Sequence, residues 1–164
     1  MSTEVPEIDA HDTRILEELQ REARISMAEL GRKVHLSQPA VTERVRKLEI
    51  AGFIKGYRAV VDFQRLGYGI RAFVRAGRVE YGRMLQLIEQ TPEVVNAFNV
   101  TGEDSWILEI AVIDVEHLDA VVTKFCMLTE TSTSIVLNIP REHAAVPPAR
   151  RENIRPAIRK VTGR

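Results

Sequence analysis

The chain has 164 residues, of which 45% are hydrophobic and 28% are charged, a composition typical of globular proteins rather than of disordered or fibrous ones. It holds no run of about 18 apolar residues, which excludes a helical membrane span. The acidic first residues lack the apolar stretch of a signal peptide, and the lone cysteine, Cys126, excludes an internal disulfide. We therefore expect a cytoplasmic protein with one large domain or two small ones.

The formal net charge is zero, but the charges are unevenly distributed along the chain. Residues 32–58 carry seven bases and two acids, residues 62–140 carry six bases and eleven acids, and residues 141–164 carry seven bases and two acids. The three segments therefore have formal charges of +5, −5 and +5. Because phosphate binding needs a local positive surface rather than a positive total, this distribution is compatible with a nucleic-acid partner.

Two short amphipathic helices are predicted in the first 35 residues. Asp9 is the predicted N-cap of the first helix, and Ser26 forms a predicted capping box with Glu29 at the start of the second. Apolar side chains recur at helical spacing in both segments. These predict the buried stripes, which are Ile15, Leu16, Leu19 and Ala23 in the first helix and Met27, Leu30 and Val34 in the second.

A third helix is predicted after the short turn His35-Leu36. Ser37 is a good N-cap, and Pro39 is tolerated because a first-turn residue needs no helical N–H bond. Gly52 supplies the left-handed position at which the helix ends. The core-facing stripe is predicted to be Val41, Val45 and Leu48. Two helices joined by a turn of this length are typical of a helix-turn-helix DNA-binding module.

The third helix is the predicted recognition helix, because its apolar stripe turns its polar side chains away from the core. The N-terminal residues of a recognition helix reach base edges, and the helix start suits a phosphate. The predicted DNA-contacting residues are Ser37, Gln38, Pro39, Ala40, Thr42, Glu43, Arg46 and Lys47. The alternative is a solvated face on which the bases only pair with Glu43 and Glu49. Arg44 lies nearest the core stripe, and we expect it to be structural.

The segment after Gly52 is predicted to be extended. Alternate side chains from Tyr57 to Phe63 are apolar, which is the period of a half-buried strand. Two interpretations remain open, a short wing of the DNA-binding module or a strand over residues 57–67 that links two domains.

A change of periodicity after Gly67 predicts a second domain with the order βαββαβ. The predicted strands are 70–79, 94–100, 106–113 and 133–139, with a helix at 82–90 and a second helix capped by Asp114. The predicted inward side chains are Met84, Leu85, Leu87 and Ile88, followed by Val115, Leu118, Val121, Val122 and Phe125. This order predicts an α+β, ferredoxin-like fold. Because the helices cover one face of such a sheet, the other face, which carries Phe73, is expected to be covered in a dimer.

Several motifs in this order resemble the Lrp/AsnC family of transcriptional regulators. They are Asp9-x-x-Asp12-x-x-Ile15-Leu16, Leu36-Ser37-x-x-x-Val41-x-x-Arg44-Val45-x-x-Leu48-Glu49-x-x-Gly52, and Val100-Thr101-Gly102-Glu103 before a strand. The resemblance covers about residues 8 to 140. Two positions depart from the family pattern, because His35 replaces the usual glycine at the end of the second helix and Ser105 stands where the family's loop often has an aspartate.

The resemblance implies a domain order and a mode of regulation. It implies an N-terminal arm (1–8), a helix-turn-helix domain (9–56), a linking strand (57–67), a RAM (ACT-like) domain (68–140) and a basic C-terminal tail (141–164). It further implies homodimers that assemble into higher oligomers such as octamers. A small amino acid or related metabolite would bind between dimers and control the binding of double-stranded DNA.

The loop after the second predicted strand is the candidate effector site. Gly102 lets a ligand approach the backbone closely, exposed N–H groups of a tight turn can hold a carboxylate, and Glu103 or Asp104 can pair with an ammonium group. The candidate residues are Val100, Thr101, Gly102, Glu103, Asp104, Ser105 and Trp106. The alternative is a plain β-hairpin with solvated acids, for which the same residues are good turn formers.

No catalytic, metal or cofactor site is predicted. The four histidines are scattered without ligand spacing, no phosphate-binding loop or nucleophile elbow is present, and Cys126 is expected to be a small buried residue. The sequence thus predicts a sequence-specific, amino-acid-responsive transcriptional regulator, not an enzyme. The alternative function is an architectural, nucleoid-type DNA-binding protein with little sequence preference. For the basic tail, a flexible arm that adds DNA affinity and a solubilising end both remain open.

Overall fold

The computed structural model describes residues 8–149, which divide into two compact units. Residues up to Ala59 form the first unit together with the described chain from Arg141 onward, and residues 60–140 form the second. Within residues 8–149, no helix has the length and apolar character needed to cross a membrane.

The first unit contains three helices, α1 (Ala10–Arg21), α2 (Met27–Val34) and α3 (Gln38–Ile50). All three predicted N-caps are confirmed, since the side chains of Asp9, Ser26 and Ser37 accept hydrogen bonds from backbone N–H groups of the first turn. Asp9 forms a reciprocal capping box with Asp12. The predicted capping box of Ser26 and Glu29 forms only in its Ser26 half, because the Glu29 carboxylate lies 3.9 Å from the guanidinium of Arg32 instead. Each helix therefore starts where the sequence places its polar cap.

The core of the first unit contains most of the apolar side chains that the helical spacing predicts, although Leu16 and Met27 are only half-buried. Ala23 is exposed, because α1 ends at Arg21 and its stripe does not continue that far. Ile25 is buried instead. The buried side chains are Ile15, Leu19, Ile25, Leu30, Val34, Val41, Val45 and Leu48.

The turn between α2 and α3 packs closely on the backbone of α2. His35 adopts the left-handed conformation at φ 60° and ψ 41°, which is accessible to histidine at a steric cost. The N–H of Leu36 donates to the carbonyl of Gly31 at 2.8 Å. A Cβ atom on Gly31 would lie 2.7 Å from the Leu36 carbonyl oxygen. Gly31 therefore allows the close approach that sets the position of α3.

The end of α3 is a Schellman motif. Gly52 has φ 76°, its N–H donates to the carbonyl of Glu49 at 3.0 Å, and the N–H of Phe53 donates to the carbonyl of Leu48 at 2.9 Å. These two bonds satisfy carbonyls that would otherwise lack a partner at the helix end. The predicted role of Gly52 is confirmed.

Residues 57–67, predicted to be extended, pair with no strand within the described part of the chain. Residues 54–62 are irregular, and residues 63–67 form a turn that closes with a bond of 2.9 Å from the N–H of Tyr68 to the carbonyl of Phe63. Alternating side chains alone do not form a strand, because the backbone groups also need a ladder partner. Within residues 8–149 this segment has none.

The second unit has the predicted βαββαβ order. Its elements are β1 (Ile70–Ala76), α4 (Tyr81–Glu89), β2 (Val94–Asn99), β3 (Trp106–Val112), α5 (Val115–Cys126) and β4 (Thr131–Ile135). The sheet order is β2-β3-β1-β4 and every neighbouring pair is antiparallel. β1 therefore lies between β3 and β4, as the ferredoxin-like fold requires, and the predicted fold class is confirmed.

One face of the sheet packs against α4 and α5. Ala72, Val74 and Ala76 of β1 point to this face with neighbours from β3, and Met84, Leu118, Val121 and Phe125 cover them from the helices. Val112 and Trp106 close the two ends of this core. Burial on this scale supplies the main stabilisation of the unit.

Five details of the second unit correct the predictions. Leu85, Val115 and Cys126 are exposed. Leu85 and Cys126 each lie one helical step from a buried neighbour, and Val115 is the first residue of α5, ahead of its stripe. The predicted bounds of two strands are also wrong, because β1 ends at Ala76 rather than at residue 79 and β4 spans Thr131–Ile135 rather than residues 133–139. β4 pairs with β1 from Ala76↔Thr131 to Ala72↔Ile135. The pairing partner rather than local apolar content therefore sets where β4 lies.

Replacement of Gly31 by alanine tests the close approach of the turn to α2. An unobstructed glycine-to-alanine change inside a helix stabilises a protein by about 1 kcal/mol. Here the new Cβ meets a backbone oxygen that cannot move freely, so we expect Gly31→Ala to lower the free energy of unfolding by about 1–3 kcal/mol. Denaturant titration followed by circular dichroism measures the change.

Gly82→Ala is the matched control for this substitution. Its Cβ would approach only the flexible carboxylate of Glu80, at 3.3 Å. If Gly31→Ala instead stabilised the protein by about 1 kcal/mol, as at an unobstructed helical glycine, the packing argument would be contradicted.

Candidate DNA interface and effector loop

The exposed side of α3 brings together the residues predicted to contact DNA. Ala40 is half-buried, and the other seven are exposed, namely Ser37, Gln38, Pro39, Thr42, Glu43, Arg46 and Lys47. The opposite side, formed by Val41, Val45 and Leu48, is buried. The polar surface of α3 is therefore a direct consequence of the apolar stripe.

Arg46 and Glu43 form a two-pronged ion pair on the exposed side of α3. Arg46 Nε donates to Glu43 Oε2 at 2.9 Å, and Arg46 Nη2 donates to Oε1 at 2.7 Å. The hydrogen bond from Arg46 lowers the pKa of the Glu43 carboxyl, so this group is ionised at neutral pH. Lys47 Nζ lies 4.0 Å from the same carboxylate. Glu43 thus fixes the direction of the Arg46 guanidinium.

Arg44 has a structural role, as expected from its position beside the core stripe. Its Nη1 donates to Asp9 Oδ2 at 2.7 Å and to Asp12 Oδ1 at 2.8 Å. The pKa of the Asp9 carboxyl is lowered, first by the hydrogen bond from the backbone N–H of Asp12 and also by Arg44. One guanidinium therefore connects α3 to the N-terminal cap of α1.

We expect Arg44→Ala to destabilise the first unit while leaving the choice of DNA sequence unchanged. The substitution removes two partly exposed ion pairs, each worth about 0.2–1 kcal/mol, so the free energy of unfolding should fall by roughly 1 kcal/mol. Arg32→Ala is the control, because the Arg32 side chain is 78% exposed and its ion pair is long. Equal stability of the two variants in thermal unfolding would contradict the structural role of Arg44.

The candidate effector loop is a hairpin that connects β2 to β3. The N–H of Val100 donates to the carbonyl of Ser105 at 2.9 Å, and the N–H of Ser105 donates to the carbonyl of Ala76 at 3.0 Å. Asn99 Nδ2 also donates to the Ser105 carbonyl at 2.9 Å. Gly102 has φ 128°, and a Cβ atom on it would meet no other group within 4 Å. The loop is thus firmly held at its base and open at its tip.

The charged groups of the loop differ in their pairing. Asp104 is half-buried and lies 3.8 Å from Arg75 of β1. Glu103 is exposed and makes no ion pair within the described part of the chain. Of the two predicted partners for an ammonium group, Glu103 is therefore the one whose charge is not already neutralised.

Trp106 is part of the core rather than of the loop surface. The side chain is only 3% exposed, and its ring centroid lies 5.4 Å from that of Tyr81 at the start of α4. The structure therefore brings together residues 100–105 at the loop, with Thr101, Gly102 and Glu103 exposed, and places Trp106 beneath them. Its ring can support the loop but presents no free face to a ligand.

The sheet face that the helices leave uncovered carries a polar network that the sequence patterns do not predict. Arg71 Nε donates to Glu109 Oε1 at 3.2 Å, and Asn96 Nδ2 donates to Glu109 Oε2 at 2.7 Å. Glu109 is only 7% exposed, and the guanidinium of Arg71 lies over the ring of Phe63, 5.2 Å from its centroid. The cross-strand pairing of β1, β3 and β2 brings these residues together, and no local motif marks them.

Apolar side chains surround this network. Phe73, paired with Glu109 in the register of β1 and β3, is 37% exposed, and Phe98 of β2 is 50% exposed.

In the range 8–149, no group of three or more histidine, cysteine, aspartate or glutamate side chains could hold a metal ion.

Comparison with known proteins identifies both units. A model of the AsnC-type helix-turn-helix domain matches residues 8–49, and a model of the Lrp/AsnC ligand binding domain matches residues 71–146. The HTH-type transcriptional regulator LrpC of Bacillus subtilis is 35% identical over 133 residues, which cover 80% of this chain and 92% of LrpC. The HTH-type transcriptional regulator Rv2324 of Mycobacterium tuberculosis is 41% identical over 116 residues, covering 69% of this chain and 78% of that protein.

Solved structures give the same result. The transcriptional regulator NMB0573 of Neisseria meningitidis, solved as a complex with L-Met, superposes with a TM-score of 0.80 at 26% identity, and the match covers 86% of this chain and 97% of that one. The similarity therefore extends over both units.

Proposed function

Because the chain belongs to the Lrp/AsnC family of transcriptional regulators, we propose that it binds specific sites on double-stranded DNA through α3 and that a small amino acid controls this binding. DNA binding is assigned to residues 9–56, and effector binding and assembly to residues 68–140. The observation that carries the proposal is the exposed polar surface of α3 opposite a fully buried apolar stripe. No catalytic activity is proposed.

The assignment of α3 as the recognition helix rests on its exposed N-terminal side chains, on its N-cap and on Arg46. The side chains near its N-terminus, Gln38 and Thr42, are exposed, and this end of a recognition helix is the part that reaches base edges. Ser37 caps the helix, and a helix start of this kind favours a phosphate oxygen. Arg46 lies two turns further along, where its planar guanidinium can bind a guanine in two-pronged geometry.

Arg46→Ala is expected to weaken binding to a specific site by about 1–3 kcal/mol, which is roughly 5- to 150-fold in the dissociation constant. Binding to random DNA should change much less. A site is first selected from random duplexes, and fluorescence anisotropy then measures the affinity. Arg65→Ala in the second unit is the control, since the Arg65 side chain is 89% exposed. Unchanged affinity of Arg46→Ala for the selected site would remove Arg46 from the reading surface.

The architectural function is the second candidate, favoured by the uneven distribution of positive charge in the sequence. The two functions differ in the ratio of affinities for a selected site and for random DNA at the same salt concentration. Specific regulators reach ratios of about 10³ or more. A ratio near one would support the architectural function.

We propose that the loop of residues 100–105 binds the carboxylate of an amino acid through backbone N–H groups and its ammonium group through Glu103. The protein of the Neisseria complex binds L-Met, which supports an amino acid as the ligand class.

We also propose that the uncovered sheet face, with Phe73 and Phe98, pairs with a second copy, and that dimers form octamers or other higher oligomers. A ligand controls such an assembly only if it binds one assembly state more tightly than another. We propose that the protein binds DNA in the cytoplasm.

Glu103→Gln is expected to weaken binding of the amino-acid effector by at least tenfold, because it removes the charge proposed to pair with the ammonium group. Calorimetric titration with each of the twenty amino acids identifies the effector and measures the loss. Glu116→Gln, in the first turn of α5, is the matched control. Absence of heat with all twenty amino acids, together with an unchanged mass in light scattering, would contradict effector control by an amino acid.

A further inference from the structure

Most bases of the helix-turn-helix region are compensated by a neighbouring carboxylate. Residues 32–58 contain seven bases. Lys55 and Arg58 are exposed and make no ion pair within the described part of the chain. Because a nearby carboxylate compensates the charge of a paired base, the uncompensated positive charge of this range lies on Lys55 and Arg58. The five bases that lie within 4.0 Å of a carboxylate are Arg32, Lys33, Arg44, Arg46 and Lys47.

The segment of residues 53–58, which carries these two bases, is attached to α3 at two points. At its start, the N–H groups of Phe53 and Ile54 donate to a carbonyl in the last turn of α3, at 2.9 and 3.2 Å. Both side chains are half-buried and pack against the core of the first unit. Near its end, the hydroxyl of Tyr57 donates to Glu49 Oε1 at 2.9 Å. The segment therefore has a defined position beside α3 although it forms no strand.

Glu49 belongs to the side of α3 that is proposed to read DNA. It follows Thr42 by seven residues and Arg46 by three, and residues at these spacings lie above one another on a helix. All three side chains are exposed. The hydrogen bond from Tyr57 therefore places the segment of residues 53–58 next to the C-terminal end of this side.

The Tyr57 hydroxyl keeps its proton at neutral pH and can therefore act as the donor. Desolvation of the phenol, together with its hydrogen bond to Glu49, raises the pKa of Tyr57 to about 12. Loss of the proton would place two negative charges side by side. The bond is thus stable over the pH range in which DNA binding is measured.

We propose that Lys55 and Arg58 bind phosphates of the DNA strand that borders the groove occupied by α3. The hydrogen bond between Tyr57 and Glu49 holds this phosphate-binding segment in position. The inference rests on the proposed binding of DNA by α3. A helix in the major groove lies between two sugar-phosphate strands, so a segment attached to the side of that helix faces one of them. Lysine and arginine bind phosphates through charge, and such contacts carry no sequence information.

Lys55→Ala, Arg58→Ala and the double variant test the phosphate contacts in the full chain. Arg83→Ala is the matched control, because it removes one positive charge from an exposed position of α4 in the second unit. Circular dichroism checks that each variant is folded. Fluorescence anisotropy then measures the dissociation constants for a selected site and for random DNA between about 50 and 200 mM salt.

Each single variant is expected to make the slope of log K against log salt shallower by about 0.9, and the double variant by about 1.8. Binding to the selected site and to random DNA should weaken by the same factor, because phosphates are present in both. The ratio of the two affinities should therefore stay unchanged, whereas Arg46→Ala is expected to lower it.

Tyr57→Phe tests the positioning role, since it keeps the aromatic ring and removes only the hydroxyl. We expect severalfold weaker binding to both DNAs in the otherwise wild-type chain. In the double variant that lacks both bases, the same change should have no further effect, because the hydroxyl acts through those two side chains. Tyr81→Phe, at an exposed tyrosine of α4, is the matched control.

The outcomes separate this inference from the proposed function. DNA binding by the wild-type chain with a salt slope that Lys55→Ala and Arg58→Ala leave unchanged overturns the inference alone. A loss of affinity confined to the selected site also overturns it, since the two side chains would then read bases. An equal effect of Tyr57→Phe in the presence and absence of the two bases overturns the positioning role of the hydrogen bond. Absence of any DNA binding by the wild-type chain overturns the proposed function as well.

Discussion

Burial of Val41, Val45 and Leu48 is the constraint on which the first unit depends. These three side chains can leave water only by packing against α1 and α2, and this fixes the rotation of α3 about its own axis. Rotation in turn decides which side chains remain in solvent. The close approach of the turn to Gly31 fixes the position of α3 relative to α2, and the ion pairs of Arg44 with Asp9 and Asp12 connect the middle of α3 to the start of α1. The surface proposed to contact DNA is thus formed by the side chains of α3 that the core leaves in solvent.

The elements whose signals are local could be predicted from the sequence. Capping side chains, helical apolar stripes and the left-handed position of Gly52 depend on neighbours a few residues away. The structure agrees with them except at Ala23, Leu85 and Val115, which are exposed, and at Glu29, which does not complete its capping box. The order of the second unit and the exposed side of α3 follow from the same patterns. The loop of residues 100–105 could also be located, because a glycine between two strand patterns marks a turn.

Other features depend on pairing between distant segments and carry no local signal. β4 begins at Thr131 because β1 offers its partners there, and residues 57–67 form no strand because alternation supplies no ladder partner. Sequence position puts Trp106 in the candidate effector loop, yet its ring lies against that of Tyr81, 25 positions earlier. The contact of Gln20 with Val146 joins positions 126 apart, and no periodicity relates them.

The network of Arg71, Glu109 and Asn96 has a consequence for self-association. In an assembly with a two-fold axis, each group near the axis faces the identical group of its mate. A bare carboxylate at such a position would repel its own image and would also lose its hydration. Here Arg71 and Asn96 of the same chain already bind both oxygens of Glu109. The charge of Glu109 at the centre of the sheet is therefore balanced within its own chain, and an identical sheet can approach it without supplying a counter-ion.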